Sequence, residues 1–256
     1  MSVQEIKEDI IFSLKEFFKS VGKAKAVIGL SGGLDSAVCL SLITKAIGKE
    51  NVTALFMPEI DLTSKENEED SCSYTQELDV DFIRVPINSY LDNLEEIPWK
   101  QTDISIINTK ARIRMIVLYN YANANDSLVI GTGNKSEIYL GYSTKFGDSA
   151  VDILPIGDLY KTQVFKLAKE LNIPESIINK TPSAELMKGQ TDEKDLNIKY
   201  EIADKIISNI ISKNMSRKEI IESGFKEEDV DNVLSRIKNS EHKRRTAPII
   251  KIDKKW

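Results

Sequence analysis

The residues with the clearest chemical potential form a short loop near the N-terminus, Ser31-Gly32-Gly33-Leu34-Asp35-Ser36. Two adjacent glycines allow a tight turn that brings backbone N–H groups close to a ligand, and the N-terminus of a following helix adds partial positive charge. The serine hydroxyls can donate hydrogen bonds, and a carboxylate such as that of Asp35 is a ligand that Mg²⁺ prefers. The loop therefore predicts a phosphate site with an associated magnesium ion.

The same loop has a simpler interpretation, a turn in which Asp35 only caps a helix, because Asp and Ser are favoured at that position. A Walker A loop is excluded, since the Gly-Lys-Ser/Thr ending is missing. The position of the loop, between an apolar strand and a helix, favours phosphate binding over a plain cap.

The elements around the loop follow from hydrophobic spacing. The pattern predicts strands over 25–30, 51–57, 81–85 and 127–131, with helical segments over 3–21, 35–48, 64–78 and 104–122 and a helix or turn over 87–96. After residue 159 only helices are predicted, over 160–171, 192–213, 216–223 and 226–239. We expect an α/β fold in which an open parallel sheet is flanked by helices, Rossmann-like, with a helical C-terminal part. We expect residues 1–256 to form one domain.

Composition narrows the functional class. The net charge of −5 argues against a surface that follows a nucleic-acid backbone, so any anion site must be local. We expect no membrane partner and no secretion, because no run of about 18 apolar residues occurs and the N-terminus is charged. Cys39 and Cys72 lie in predicted helices without metal-ligand spacing, which favours reduced packing residues and a cytoplasmic location.

The loop resembles the Ser-Gly-Gly-x-Asp-Ser loop of the ATP pyrophosphatase superfamily, whose members cleave ATP between the α- and β-phosphates. The segments that separate its families are Asn108 to Arg114, Gly131 to Asp148, Asp152 to Pro155 and Pro182 to Leu186, and in order and spacing they are similar to those of NAD synthetases. The resemblance runs over the whole chain. It implies an adenine nucleotide alpha hydrolase-like fold and a ligase that forms a C–N bond.

The reaction implied is the amidation of nicotinate adenine dinucleotide to NAD, with ATP as co-substrate and ammonia as nitrogen donor. An acyl-adenylate forms, and AMP and pyrophosphate are released. Chemistry agrees with this assignment, because Glu137 at the carboxyl end of the fourth strand would face Asp35 and complete an oxygen cage for Mg²⁺. The alternative for Glu137 is a solvated helix face. Lys145 and Lys161 could neutralise the charge that develops on phosphate, although Lys161 by itself is typical of a surface lysine.

The resemblance also implies site residues. The catalytic set would be Asp35, Lys161 and Asp148, and the metal ligands Asp35 and Glu137. ATP and pyrophosphate would bind to Gly29, Leu30, Ser31, Gly32, Gly33, Leu34, Asp35, Ser36, Thr132, Lys161 and Ser183. The dinucleotide would bind to Asn108, Arg112, Lys145, Asp148, His242 and Lys243. The basic tail with His242 and Lys243 would close over the substrates, whereas a solvated or disordered end is the simpler interpretation.

The chain departs from the family pattern at two places. Gly133-Asn134-Lys135-Ser136 is the version common in larger, glutamine-dependent synthetases, but the first predicted helix begins almost at Met1, so we expect no amidase domain. Phe56-Met57-Pro58 lacks the arginine that many relatives place before the proline, which puts one ATP contact in doubt.

The sequence also predicts an oligomeric state and leaves two alternative functions open. The apolar residues Ile113, Ile116, Val117 and Tyr121 on the long helix predict a homodimer. A tRNA-modifying pyrophosphatase is the enzymatic alternative, and the acidic net charge counts against it. A nucleotide-binding sensor or electron-transfer module is the nonenzymatic alternative, which would not need both Asp35 and Glu137.

Overall fold

Four short strands form a fully parallel sheet in the computed structural model, which describes residues 1–183, 185–187 and 189–252. The strands are β1 Lys25–Gly29, β2 Val52–Phe56, β3 Asp81–Arg84 and β4 Ser127–Ile130. Their order across the sheet is β3-β2-β1-β4, and every neighbouring pair is parallel. The predicted α/β class and the predicted strands are confirmed.

Helices surround the sheet and fill the C-terminal part. In the described residues they are α1 Val3–Val21, α2 Leu34–Ile47, α3 Lys65–Leu78, α4 Asn88–Leu91, α5 Asp103–Asn125, α6 Lys135–Leu140, α7 Lys161–Glu170, α8 Glu175–Ile178, α9 Asp192–Leu196, α10 Tyr200–Ile211, α11 Arg217–Glu222 and α12 Glu227–Asn239. Short 3₁₀ helices cover Lys49–Asn51, Asp92–Glu96 and Glu241–Lys243. No helix among the described residues is long and apolar enough to cross a bilayer.

The predicted helix over 192–213 is wrong as one element. It is broken between α9 and α10, where Asn197 adopts a left-handed conformation with φ of 52° and caps α9. Asparagine tolerates this conformation better than most residues, so the chain can turn there at modest cost. The one-domain organisation of residues 1–256 stays a prediction.

Both faces of the sheet are covered, which explains why its central strands are apolar without alternation. Ala26 and Ile28 of β1 face the layer formed by α1, α2 and α7, whereas Val27 between them faces α5. All five residues of β2 are buried. β3 lies at an edge and exposes Asp81 and Arg84, as is common for edge strands.

The strand order creates the crevice of the molecule. From β1 the chain crosses through α2 to β2 on one side, while β4 pairs with the other side of β1. The order of the strands therefore reverses between β1 and β4. Ligands of open α/β sheets bind where the strand order reverses in this way. The loop at Ser31 and the loop at Gly131 lie next to each other at this point.

A separate apolar cluster packs the C-terminal helices against α6. Leu140 of α6 packs with residues of α9, α10, α11 and α12, among them Leu196, Tyr200, Ile206, Ile220 and Val230. Since α6 follows directly from the loop after β4, the C-terminal helices support one wall of the crevice.

The sheet provides a matched test of these burial assignments. We expect Ile28→Ala in β1 to reduce the free energy of unfolding by roughly 2–5 kcal/mol, because the side chain is fully buried and its loss leaves a cavity. Ile83→Ala in β3, where the side chain is 39% exposed, should cost about 1 kcal/mol or less. Urea unfolding followed by circular dichroism measures both, and equal losses would contradict the assignment of β1 as the central strand.

Candidate active site

The loop after β1 forms a compact, glycine-dependent turn. Gly32 has a left-handed φ of 79°, and Gly33 is the residue that caps α2. The Ser31 and Ser36 hydroxyls lie 3.2 Å apart, and Ser36 Oγ donates to the Gly33 carbonyl oxygen at 3.0 Å. Because glycine has no side chain, no N-cap hydrogen bond covers the first N–H groups of α2, which suits a bound anion.

This geometry decides the question about Asp35. Asp35 is the second residue of α2, inside its first turn, and therefore is not the N-cap. The helix-cap alternative is wrong.

Gly32 also has a packing role. A Cβ atom at this position would lie 2.6 Å from the carbonyl oxygen of Asn67, and that neighbour is backbone and cannot rotate away. Together with the positive φ, this contact leaves glycine as the residue that fits. The N-terminal part of α3 therefore lies directly behind the loop.

Three charged side chains meet at the first turns of three helices. The Lys161 ammonium forms an ion pair with Asp35 Oδ2 and lies 3.5 Å from Glu137 Oε1. The side chains of Lys161, Asp35 and Glu137 are only 3%, 17% and 16% exposed. The interpretations of Glu137 as a solvated helix face and of Lys161 as a surface lysine are both wrong.

Asn134 connects the two loops, and sequence reasoning assigned it no role. Its side-chain oxygen accepts a hydrogen bond from the Glu137 backbone N–H at 3.0 Å, and Glu137 Oε2 accepts from the Asn134 N–H at 3.2 Å. Its amide nitrogen also donates to Asp35 Oδ1 at 3.2 Å. The spacing of Asn134 and Glu137 is that of a capping box, a signal that could have found it.

Asp204 of α10 is a second residue that the sequence analysis missed. It is buried, accepts a hydrogen bond from the Thr162 N–H at 3.0 Å, and also accepts one from the Ser136 hydroxyl. The Ser136 oxygen in turn accepts from the Lys161 N–H at 2.9 Å. Asp204 thereby holds the first turns of α6 and α7 together, and these turns carry Glu137 and Lys161. No local signal in the sequence marks it.

The buried charges perturb one another. Burial, together with the negative charge of Asp35, raises the pKa of Glu137 to about 8, although Lys161 opposes this. Burial by itself would lower the pKa of Lys161, but the carboxylates of Asp35 and Glu137 raise it above its usual value. Burial raises the pKa of the nearby Cys39 thiol, and the same two carboxylates add to the shift. The result is a lysine that stays charged beside a glutamate that titrates near neutral pH.

The two carboxylates fit a magnesium ion in their chemistry. Both contact one ammonium, so both lie within reach of one cation. Mg²⁺ is commonly bound by one or two protein carboxylates, with phosphate oxygens and water completing its octahedron. Clusters of three or more potential metal-binding side chains are absent from the described residues.

A second polar cluster forms around the turn after α6. Thr144 is its centre: its hydroxyl donates to Asn108 Oδ1 at 2.8 Å, and its backbone N–H donates to Asp148 Oδ1 at 2.7 Å. Arg112 donates to the Lys145 carbonyl oxygen at 3.2 Å, and Lys145 Nζ donates to the His242 carbonyl oxygen at 2.6 Å. Together with Lys243, the structure thus assembles all six residues predicted for the dinucleotide.

The basic tail is ordered up to Arg244 and packs on α6. Lys243 Nζ donates to the carbonyl oxygens of Gly141 and Ser143 at 2.7 and 2.6 Å. Arg244 donates to the Ile237 carbonyl oxygen at 2.7 Å, while the His242 side chain lies exposed. The interpretation of the basic run 241–245 as a solvated end is wrong for Lys243 and Arg244, whose contacts satisfy carbonyl groups just after α6 and near the end of α12.

Thr132 and Ser183 are the remaining residues that were predicted to bind ATP. Thr132 is half-buried in the loop after β4. Ser183 is exposed, and its hydroxyl accepts a hydrogen bond from the Glu185 N–H at 3.1 Å. Among the described residues it makes no hydrogen bond to the loop at Ser31 to Ser36.

A different arginine lies near Met57, where the arginine of many relatives is missing. Arg114 of α5 donates to the Met57 carbonyl oxygen at 3.0 Å.

The fold and this site first define a class. A parallel sheet with its strand order reversed beside a Ser-Gly-Gly-x-Asp-Ser loop, and a lysine held between two carboxylates, characterise an ATP-using α/β enzyme of the pyrophosphatase type.

Comparison with known proteins narrows the class to one family. The model of the NAD synthase family matches residues 6–247. The NH(3)-dependent NAD(+) synthetase of Fusobacterium nucleatum is 40% identical, covering 98% of this chain and 97% of the relative. Two solved structures, an NMN synthetase from Francisella tularensis and an NH3-dependent NAD synthetase from Campylobacter jejuni, superpose with TM-scores of 0.87 and 0.83. Each is 32% identical, with 98% of this chain and 100% of the other covered. The chain belongs to the NAD synthase family and is a ligase that forms a carbon–nitrogen bond.

The raised pKa of Glu137 predicts an effect on stability. The folded state holds the Glu137 proton up to about pH 8, whereas the unfolded chain releases it near 4.5, so stability falls as pH rises through this window. Glu137→Gln removes this titration and keeps an oxygen for the capping box. With a metal chelator present, we expect the melting temperature of the variant to gain on that of the wild type by several degrees or more between pH 5 and pH 8.5, because each pH unit between the two pKa values costs the wild type up to about 1.4 kcal/mol.

Glu219→Gln is the matched control for this measurement. Glu219 occupies the same position of a capping box in α11, but it is exposed and its pKa is lowered by hydrogen bonds from Ser216. Its stability contribution is complete above the unfolded pKa, so the difference from wild type should stay constant between pH 5 and pH 8.5. An equal change in both variants would contradict the assignment to Glu137.

Proposed function

We propose that the chain makes NAD by ATP-dependent amidation of nicotinate adenine dinucleotide. The substrate carboxylate attacks the α-phosphorus of ATP, the bond to the β-phosphate oxygen breaks, and pyrophosphate leaves. Ammonia then attacks the acyl carbon, loses a proton, and displaces AMP. The observation that carries this proposal is the phosphate loop beside Asp35, Glu137 and Lys161 at the strand-order reversal of an NAD synthase fold.

The loop and Lys161 would bind the leaving pyrophosphate. The uncapped N-terminus of α2 and the Ser31 and Ser36 hydroxyls supply hydrogen-bond donors without net charge. Lys161, whose raised pKa keeps it protonated, supplies a positive charge, and its side chain is only 3% exposed. Donors fixed before the reaction stabilise developing negative charge without reorganising, which favours the phosphoryl step.

Asp35 and Glu137 would hold the Mg²⁺ ion. When bound, the ion would neutralise charge on the pyrophosphate oxygens. The two carboxylates are fixed by Asn134 and by the first turns of α2 and α6, so their geometry is set before a ligand arrives. Lys161 would then turn from the carboxylates to the phosphate.

The cluster around Thr144 would bind the dinucleotide. Arg112, Lys145 and Lys243 bring three positive charges to one turn, which suits a substrate with two phosphates and a carboxylate. Asp148 is the carboxylate of this cluster, and the proposal places it near the reacting end of the substrate. Closure of the His242 segment over the substrate would require its contacts with Lys145 to rearrange.

Ammonia is the proposed nitrogen donor. A glutaminase needs an activated nucleophile such as a thiolate, and Cys39 is buried with a raised pKa. Nucleic-acid substrates are disfavoured by the net charge of −5. A cytoplasmic setting belongs to the proposal and is supported by the two free cysteines.

We also propose a homodimer, but its interface involves different residues of α5 from most of those predicted from the sequence. Ile113 and Val117 pack in the core against the sheet, and the Tyr121 hydroxyl donates to Thr53, so these residues do not form an interface as expected. Ile104 and Ile116 of α5 remain, 70% and 55% exposed. They support a second copy covering α5 beside Arg112.

A second candidate substrate is nicotinate mononucleotide, favoured by the similarity to the NMN synthetase from Francisella tularensis. Amidation of either nucleotide uses the same carboxylate chemistry. The substrates differ by an adenylate half, so the ratio of their kcat/KM values decides between them.

The products test the reaction type. With ATP, Mg²⁺, ammonium and nicotinate adenine dinucleotide, we expect NAD, AMP and pyrophosphate in equal amounts, because the loop holds pyrophosphate as the leaving group. Glutamine should not replace ammonium, and the rate at fixed total ammonium should rise with pH as free ammonia increases. Chromatography of the nucleotides with a coupled pyrophosphate assay measures this, and formation of ADP would contradict the proposal.

The metal ligands are tested by removing one charge at a time. We expect Asp35→Asn and Glu137→Gln each to lower kcat/KM by at least about 100-fold, because each removes a charge from the magnesium site. Asp158→Asn is the control, since Asp158 is an exposed carboxylate that pairs with Lys135. It should stay close to wild type. Near-normal rates of both site variants at limiting Mg²⁺ would exclude this metal site.

A further inference from the structure

A lysine behind the phosphate loop joins the loop to α3. Lys180 follows α8, and its Nζ donates to the Gly32 carbonyl oxygen at 3.3 Å and to Asn67 Oδ1 at 2.5 Å. The same ammonium lies 2.5 Å from Asp70 Oδ2. One positive charge thus contacts the phosphate loop and two residues of α3.

The partners of Lys180 are themselves fixed. Asp70 Oδ1 accepts a hydrogen bond from the Ser176 hydroxyl of α8 at 2.8 Å. The side chains of Lys180 and Asp70 are 18% and 16% exposed, so water screens this pair less than it screens a surface ion pair. The Lys180 ammonium therefore has its acceptors within the protein and holds a defined position.

The hydrogen bond from Lys180 to the Gly32 carbonyl oxygen affects the direction in which the neighbouring Gly33 N–H group points. The Gly32 carbonyl and the Gly33 N–H belong to one planar trans peptide, in which they point in opposite directions. A donor that holds the carbonyl toward α3 therefore turns the Gly33 N–H away from α3. Gly33 N–H points toward Ser31 Oγ, at 3.3 Å.

Because both residues are glycines, the orientation of the Gly32–Gly33 peptide depends on contacts from outside the loop. Gly32 has a left-handed φ, and its neighbour Gly33 also lacks a side chain, so the loop itself restricts the peptide weakly. The close backbone of Asn67 restricts it from one side. Lys180 supplies the polar contact that selects one orientation of the peptide.

We propose that Lys180 is a positioning residue that pre-organises the phosphate loop for ATP by holding the Gly32–Gly33 peptide against Asn67 and Asp70. The proposal rests on the proposed function, because it takes this loop as the site of the pyrophosphate group.

Pre-organisation predicts a particular kinetic change. Without the contact, only a fraction of the molecules has a competent loop, and the apparent affinity for ATP falls by that fraction. We expect the KM for ATP to rise about tenfold or more, while kcat at saturating ATP stays within about threefold of wild type. A merely structural role would lower the melting temperature and the active fraction and leave the KM for ATP unchanged.

The experiment compares variants that differ in one charge. Lys180→Met alone leaves Asp70 poorly solvated without a counter-ion, which threatens folding. The double variant Lys180→Met with Asp70→Asn removes both charges and is compared with Asp70→Asn alone. Lys180→Arg retains the donor, and Lys49→Met, which breaks an exposed ion pair with Asp79, is the control.

Steady-state kinetics and calorimetric titration with α,β-methylene-ATP measure the effect in full-length protein. We expect weaker ATP and analogue binding in the double variant, unchanged KM for the dinucleotide, recovery in Lys180→Arg, and no change in Lys49→Met. A folded double variant whose KM for ATP and analogue affinity stay within about twofold of Asp70→Asn would overturn the proposal. If the wild type amidates neither nicotinate nucleotide, the proposed function fails instead, and analogue binding still tests Lys180.

Discussion

The ion pair between the Lys161 ammonium and the carboxylates of Asp35 and Glu137 is the interaction on which the site depends. Each side chain comes from the first turn of a different helix, α2, α6 or α7, so the pair fixes how three helices meet. Two carboxylates this close and this poorly solvated need a partner, because an unpaired buried charge is costly. Lysine, a proton on Glu137 or a divalent cation can each meet that demand, and the raised pKa of Glu137 reflects its burial and the negative charge of Asp35.

The topology of the sheet makes this meeting possible. Because β1 pairs with β2 on one side and β4 on the other, the loops that lead to Asp35 and Glu137 start side by side at the reversal of strand order, where Asn134 contacts Asp35. The C-terminal helices then act as a support. Asp204 of α10 binds the first turns of α6 and α7 through Ser136 and Thr162, and so holds Glu137 and Lys161 in register.

One continuous segment links the two polar clusters. Residues 131–148 begin with the capping box of Asn134 and Glu137, continue as α6, and end with the turn that holds Lys145 and Asp148. The tail packs against the end of α6 through Lys243 and Arg244, which donate to carbonyl oxygens of Gly141 and Tyr139. The Thr144 cluster and the charged centre are therefore connected by one short helix.

The sequence by itself determined the features that depend on local pattern. The tight turn at Ser31 to Ser36, the four strands and the long helix follow from glycine chemistry, unbroken apolar runs and helical spacing, all within short windows. The motif order indicated the family, and the family model bears it out. The break at Asn197 was missed, because apolar residues on both sides, such as Leu196 and Tyr200, also fit one continuous helix.

Only the tertiary structure decided which charged residues are buried and what they pair with. Lys161 has the local pattern of a surface lysine, and its partner Asp35 lies 126 positions away in the chain. Lys180 and Asp204 carry no local signal, since their contacts reach the loop and α6 across 148 and 68 positions. A charge is stable in the interior only when a partner and hydrogen bonds compensate its lost hydration, and those partners exist only once distant segments have packed together.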